Sequence, residues 1–142
     1  MKYSSGYKYV TRAVGSYQCK HVIPGRSVVL QDKLSGRVLA ILSSTGILTW
    51  YEYYAWDGAS FSPDLESTML AALIHDILCQ MMRLGLLDRE IYWHAANREF
   101  RDCMLSRGAF KITAWAYFQG VETKLAYQST LAKNEPKILE VP

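Results

Sequence analysis

The sequence predicts an α+β fold, with N-terminal antiparallel strands followed by a three-helix C-terminal half that contains a helical hairpin. Before residue 57 the chain consists of short stretches rich in β-branched and aromatic residues, separated by turn-forming residues. From residue 62 onward, longer apolar stretches with capping residues at their ends replace that pattern. Because strands joined by tight turns pair with their neighbours in the chain, antiparallel pairing is expected.

The strand predictions cover residues 7–56 and rest on alternation and β-forming composition. The predicted strands are Tyr7–Thr11, Ser27–Leu30, Arg37–Leu42 and Ile47–Trp56. Predicted turns lie at Ile23–Arg26, Gly36 and Ser43–Gly46. The short intervals between these turns favour a sheet of short strands.

Three helices are predicted over residues 63–119. Ser62 followed by Pro63 is typical of a helix N-terminus, and Gly85, Gly108 and Gly120 would each end one helix. The predicted bounds are Leu65–Leu84, Asp88 to about Arg107, and about Phe110 to Gln119. The first two helices form a hairpin whose turn centres near Leu86.

The length of 142 residues fits a single domain, which we place at residues 1–128. Residues 129–142 contain two prolines and alternating charges without a clear period, and are predicted to form a C-terminal tail. A net charge of +3 offers no broad basic surface, so nucleic acid is not an expected partner. Three cysteines at long spacings do not form a disulfide framework, which favours synthesis in a reducing cytoplasm.

His75 and Asn97 are equally distant from Leu86, so they should lie side by side in the helical hairpin. A histidine that faces a polar residue on the next helix is how a general base is oriented. The same pair can equally be a buried imidazole that bridges two helices for structural reasons. Cys79 lies one turn from His75 on the same helix face.

Asp57 and Gly58 form a turn that precedes the first helix, and Asp76 should point towards it. Two acids beside a glycine-containing loop can offer oxygens to a hard cation such as calcium. Asp57 can also do no more than cap its own turn. A zinc site built from His75, Cys79 and His94 is disfavoured because no paired-cysteine motif supports it.

Four segments together resemble a phage-encoded family of unknown function, whose pattern is a W-D-G-A-S turn, an H-D-x-L-Y helix and an A-D-x-x-F helix. The resemblance covers roughly residues 45–122 and implies a viral protein. The segments that carry it are Tyr54–Ser60, Ala71–Leu78, Ala96–Phe100 and Ala114–Val121.

The helix pair of that family also looks like the catalytic helix pair of phospholipases A2. The resemblance implies that His75 would be the base, that Asp76 would bind calcium and that residue 97 would orient the histidine. In this chain position 97 is Asn where the pattern has Asp, and position 79 is Cys where it has Tyr. A neutral amide cannot stabilise an imidazolium by charge, so the catalytic network is incomplete. The nearest acids on the same helix, Glu99 and Asp102, face elsewhere or lie too far along the axis.

Two hypotheses follow. The first is a bacteriophage structural or accessory protein, a virion component of the tail or capsid that acts through contacts with other virion proteins and needs no cofactor. The alternative is a calcium-dependent, phospholipase A2-like lipid hydrolase, or a degenerate relic of one, that acts on membranes. Under that alternative His75 and Asn97 would be catalytic, and Asp76, Asp57 and Gly58 would hold calcium.

Overall fold

The computed structural model describes residues 3–4, 9–56 and 66–123. These residues fall into two compact units, one that contains the strands up to Trp56 and one that contains the helices from Glu66. The α+β class with strands before helices is therefore confirmed. The single domain over residues 1–128 stays a prediction, and the predicted tail lies outside the described residues.

Within the described residues, seven short strands build two antiparallel sheets, which confirms the expected antiparallel pairing. One sheet has the order β1-β2-β7 and the other the order β3-β6-β5-β4. The strands are β1 (Tyr3–Ser4), β2 (Tyr9–Thr11), β3 (Gly15–Gln18), β4 (Val28–Gln31), β5 (Val38–Leu42), β6 (Ile47–Trp50) and β7 (Ala55–Trp56).

Strand β4 of the four-stranded sheet turns alternate side chains towards the core. On β4 the side chains of Val28 and Leu30 are buried while Val29 and Gln31 are exposed. The turn between β5 and β6 lies where predicted, and Gly46 adopts a φ of 90° there. The amide of Gly46 donates to the carbonyl of Ser43 at 3.0 Å, which closes that turn.

Strand β3 was not predicted, because its residues Gly15, Ser16, Tyr17 and Gln18 are mostly polar or small. The strand pairs with β6, and Gly15 lies opposite Trp50. A Cβ atom on Gly15 would lie 2.4 Å from the indole ring of Trp50, which is itself 2% exposed. Glycine at this position therefore makes room for the indole, which covers the strand backbone.

The predicted continuous strand Ile47–Trp56 is wrong, since residues 51–54 interrupt it. Tyr53 has a φ of 70°, which a regular strand does not allow. The cause is Thr11, a buried residue on β2. Its hydroxyl donates to the carbonyl of Tyr51 at 2.7 Å and accepts from the amide of Tyr54 at 2.9 Å. Its backbone also accepts from the amide of Tyr53 at 2.8 Å.

Over residues 66–123 the structure contains three helices: α1 (Glu66–Arg83), α2 (Arg89–Ser106) and α3 (Lys111–Val121). The predicted cap of α2 is confirmed, because the Asp88 carboxylate accepts from the amide of Glu90 at 2.9 Å. Gly85 and Gly108 adopt φ values of 74° and 92° just after α1 and α2, as predicted for helix ends. The predicted start of α1 at Ser62 and Pro63 lies outside the described residues.

Gly120 does not end α3, contrary to the prediction. The helix includes Gly120 and continues through Val121, and Glu122 caps it with its amide bonded to the carbonyl of Phe118 at 3.0 Å. Val121 is 6% exposed, and burial of its side chain stabilises the last turn of α3. Helix α2 contacts both α1 and α3 and is the central helix of this unit.

We expect Gly15→Ala to destabilise the protein by about 1–3 kcal/mol, the range for overpacking a well-filled site. The buried indole of Trp50 would have to move to admit the methyl group. Urea denaturation of the purified variants measures the change. Ser16→Ala is the matched control, since Ser16 lies on the same strand with an exposed side chain. Equal stability of Gly15→Ala and wild type would show that the strand is not packed as described.

Candidate functional site

The side chains of His75 and Asn97 meet across the α1–α2 hairpin, as their equal distance from Leu86 predicts. Nε2 of His75 lies 2.7 Å from Oδ1 of Asn97, a short hydrogen bond. The predicted juxtaposition of these two side chains is therefore confirmed. Their catalytic role stays a prediction.

The amide of Asn97 also reaches the end of α3. Its Nδ2 donates to Oε2 of Glu122 at 2.9 Å and to the backbone carbonyl of Val121 at 3.3 Å. Asn97 is fully buried at 0% exposure. One buried side chain thus joins all three helices.

Glu122 extends the network towards solvent. Its Oε2 lies 2.7 Å from Nδ1 of His94, one turn before Asn97 on α2. The side chain of Glu122 is 19% exposed and that of His94 is 59% exposed. We call His75, Asn97, Glu122 and His94 the amide network, because the Asn97 amide connects its buried and exposed ends.

The imidazole of His75 is packed against apolar and sulfur-containing side chains. Sγ of Cys79 lies 3.7 Å from each ring nitrogen. The ring of Phe100 lies 5.1 Å from the imidazole, centroid to centroid, and Tyr117 follows at 6.1 Å from Phe100. The predicted neighbourhood of His75 and Cys79 on one helix face is confirmed.

Burial lowers the pKa of His75 below its ordinary value, because the low-dielectric surroundings disfavour the imidazolium. The hydrogen bond to Asn97 and the negative charges of Asp76 and Glu122 oppose this effect, while Arg83 adds to it. The net direction makes His75 a neutral imidazole at physiological pH. A neutral imidazole can accept a proton, which is what a general base requires.

Cys79 is not a reactive thiol. Burial, with a contribution from the charge of Asp76, raises the pKa of Cys79 to about 12. A thiol with so high a pKa stays protonated at physiological pH and is a poor nucleophile. The side chain therefore acts as a small apolar group that fills the space beside the imidazole.

The predicted calcium ligands are only partly described. Asp76 is half-buried on α1, while Asp57 and Gly58 lie outside the described residues. Among the residues that the structure describes, no group of three His, Cys, Asp or Glu side chains lies close enough to hold a metal ion. The assignment of calcium to Asp76, Asp57 and Gly58 stays a prediction.

Sequence reasoning missed Glu122 as a member of the site and named His94 only as a disfavoured zinc ligand. The signal that would have found Glu122 is the spacing used for His75 and Asn97. Asn97 and Val121 are equally distant from Ala109, which lies in the connection between α2 and α3. The end of α3 is therefore expected to lie beside Asn97. Ending α3 at Gln119 hid that pairing.

No model of a protein family, no curated protein and no solved structure matches this chain. Within the described parts of the chain, no helix combines the length and the apolar character needed to cross a bilayer. The resemblance to a phage-encoded family stays a prediction.

The lowered pKa of His75 predicts a pH-dependent stability. The unfolded chain binds a proton at His75 near the ordinary pKa of 6.5, and the folded protein only at lower pH. The free energy of unfolding should therefore fall as the pH drops below 6.5, by up to about 1.4 kcal/mol per pH unit for one proton. Above that pH, His75 should contribute no pH dependence.

Urea denaturation of wild type and His75→Gln between about pH 5 and pH 8 isolates this contribution, since the other titrating groups are common to both proteins. The difference between the two free energies of unfolding should change with pH only below the ordinary histidine pKa. A difference that is constant across the range would contradict the lowered pKa of His75.

Proposed function

We propose that this protein is a bacteriophage structural or accessory protein, a component of the virion tail or capsid that acts through contacts with other virion proteins. The observation that carries the proposal is the amide network. Each polar atom of the Asn97 side chain bonds within the chain, and the imidazole of His75 packs against Cys79 and Phe100. Such an arrangement stabilises the packing of three helices.

Exposed apolar residues at the start of α3 support a role in protein contacts. Phe110, Ile112 and Trp115 are 80%, 76% and 60% exposed. Ile112 and Trp115 are three residues apart on the helix, so they lie on the same side. Exposed aromatic and aliphatic groups that cluster on one side mark contact surfaces, where tryptophan often contributes most of the binding energy.

The location proposed for the mature protein is the virion, after synthesis in the cytoplasm of the host. The three cysteines are buried and form no disulfide, which suits synthesis in a reducing compartment. A net charge of +3 offers no broad basic surface for nucleic acid. No membrane partner is needed for this function.

We expect mass spectrometry of purified particles of the encoding phage to detect this chain in stoichiometric amounts. Trp115→Ser should fold like wild type but be depleted from particles, because a large exposed contact residue is removed. Ile91→Ser is the matched control, since Ile91 is an apolar residue on α2 that is 64% exposed and lies outside the α3 cluster. Particles that lack the wild-type chain would overturn the proposal.

A second candidate function is calcium-dependent phospholipid hydrolysis. The observation that favours it is the contact between Nε2 of His75 and the side chain of residue 97, the arrangement that the phospholipase resemblance implies. The adjacent Asp76 would hold calcium together with Asp57 and Gly58, and His75 would remove a proton from water. Asn97 departs from the expected aspartate, which weakens this candidate.

We expect the isolated protein to show no calcium-dependent hydrolysis of phospholipid vesicles. The group in contact with the imidazole is a neutral amide, and in the serine-protease triad the change from Asp to Asn costs about 10⁴ in kcat. The assay compares wild type with His75→Gln, each with calcium and with a chelator. Turnover that both the chelator and His75→Gln abolish would promote the hydrolase to first place.

A further inference from the structure

The orientation of the Asn97 amide follows from its partners. Its nitrogen can only donate, and it lies next to two acceptors, the Glu122 carboxylate and the Val121 carbonyl. The oxygen of the amide must therefore be the atom that faces His75. Because that oxygen can only accept, Nε2 of His75 carries the proton and donates it at 2.7 Å.

We propose that Glu122 is the positioning residue of His75: acting through the amide of Asn97, its carboxylate holds the imidazole in the tautomer with the proton on Nε2 and leaves Nδ1 as the acceptor. Glu122 does not touch the imidazole, so its effect passes through Asn97. The assignment goes beyond the proposed function, because it holds for a protein that acts through contacts as well as for a hydrolase.

The asparagine at position 97 is then required by Glu122 and is not a lost acid. An aspartate there would place a carboxylate oxygen where the Asn97 nitrogen now lies, 2.9 Å from Oε2 of Glu122. Two carboxylates at that distance cannot both be ionised without strong repulsion. The Asn97 side chain thus presents an acceptor, Oδ1, to the imidazole of His75 and a donor, Nδ2, to the carboxylate of Glu122.

The location of Glu122 supports this role. The residue caps the C-terminal end of α3, where the helix dipole disfavours a negative charge. The carboxylate is nevertheless mostly buried and accepts hydrogen bonds from Asn97 and His94 on α2. These two bonds offset the unfavourable dipole and hold the carboxylate in line with the Asn97 amide.

The first test is the tautomer itself. Nitrogen NMR of the histidine side chains distinguishes a protonated ring nitrogen from an unprotonated one. The measurement uses the wild-type protein at about pH 8, where an ordinary imidazole is neutral. We expect the unprotonated nitrogen of His75 to be Nδ1. A proton on Nδ1 would overturn the proposal without any variant.

The second test is a double-mutant cycle at positions 97 and 122, followed by thermal denaturation at the same pH. Asn97→Asp should lower Tm, and adding Glu122→Gln should restore most of the loss, because the glutamine amide can donate to the new carboxylate. Glu122→Gln alone should not raise Tm. Asp102→Asn, which removes another acid of α2, is the control and should not rescue Asn97→Asp.

The sign of the Glu122→Gln effect decides the outcome. A gain in Tm that occurs only in the Asn97→Asp background supports the proposal that Glu122 acts on His75 through the Asn97 amide. If Asn97→Asp does not fold, recovery of a folded protein in the double variant supports it equally. An Asn97→Asp variant as stable as wild type, or an equal effect of Glu122→Gln in both backgrounds, would overturn the proposal. Neither particle incorporation nor lipid hydrolysis enters these measurements.

Discussion

A single buried side-chain amide, that of Asn97, links the three described helices by hydrogen bonds. Its oxygen accepts from α1, and its nitrogen donates to the carbonyl of Val121 and to Glu122 at the end of α3. A buried polar group that loses its partner costs about 1–3 kcal/mol, so sliding either outer helix along α2 by one residue is unfavourable. Apolar contacts such as those of Phe100 with His75 and Tyr117 add attraction but less directional specificity.

Half of this arrangement could be predicted from the sequence, because hairpin geometry depends on little besides spacing. The meeting of His75 and Asn97 needed only the position of the turn at Leu86. The contribution of Glu122 could not be predicted once α3 was ended at Gly120. Glycine ends a helix when it adopts a positive φ, as Gly85 and Gly108 do, and nothing local distinguishes Gly120 from them. Burial of Val121 is a tertiary effect, and it favours continuation of α3 past Gly120.

The strands show the same division between local and long-range causes. Turns with glycine at a required position, such as Ser43–Gly46, were predictable from the residues alone. The interruption after Trp50 was not, because it is caused by the hydroxyl of Thr11, a residue 43 positions from Tyr54 in the chain. Strand β3 was missed because its stability comes from pairing with β6 and from the indole of Trp50, not from its own composition.

The interruption between β6 and β7 leaves the pairing register unchanged. Gly15 pairs with Trp50, and Val10 pairs with Ala55. The chain segment from Val10 to Gly15 is therefore as long as the segment from Trp50 to Ala55. The two pairs are therefore consecutive stretches of one antiparallel ribbon that changes sheet part-way. Closing β2 onto β7 from an unfolded chain would require a long loop, whereas after β3 and β6 have paired only a few residues remain to be ordered. Loop-closure entropy therefore favours pairing of β3 with β6 before pairing of β2 with β7.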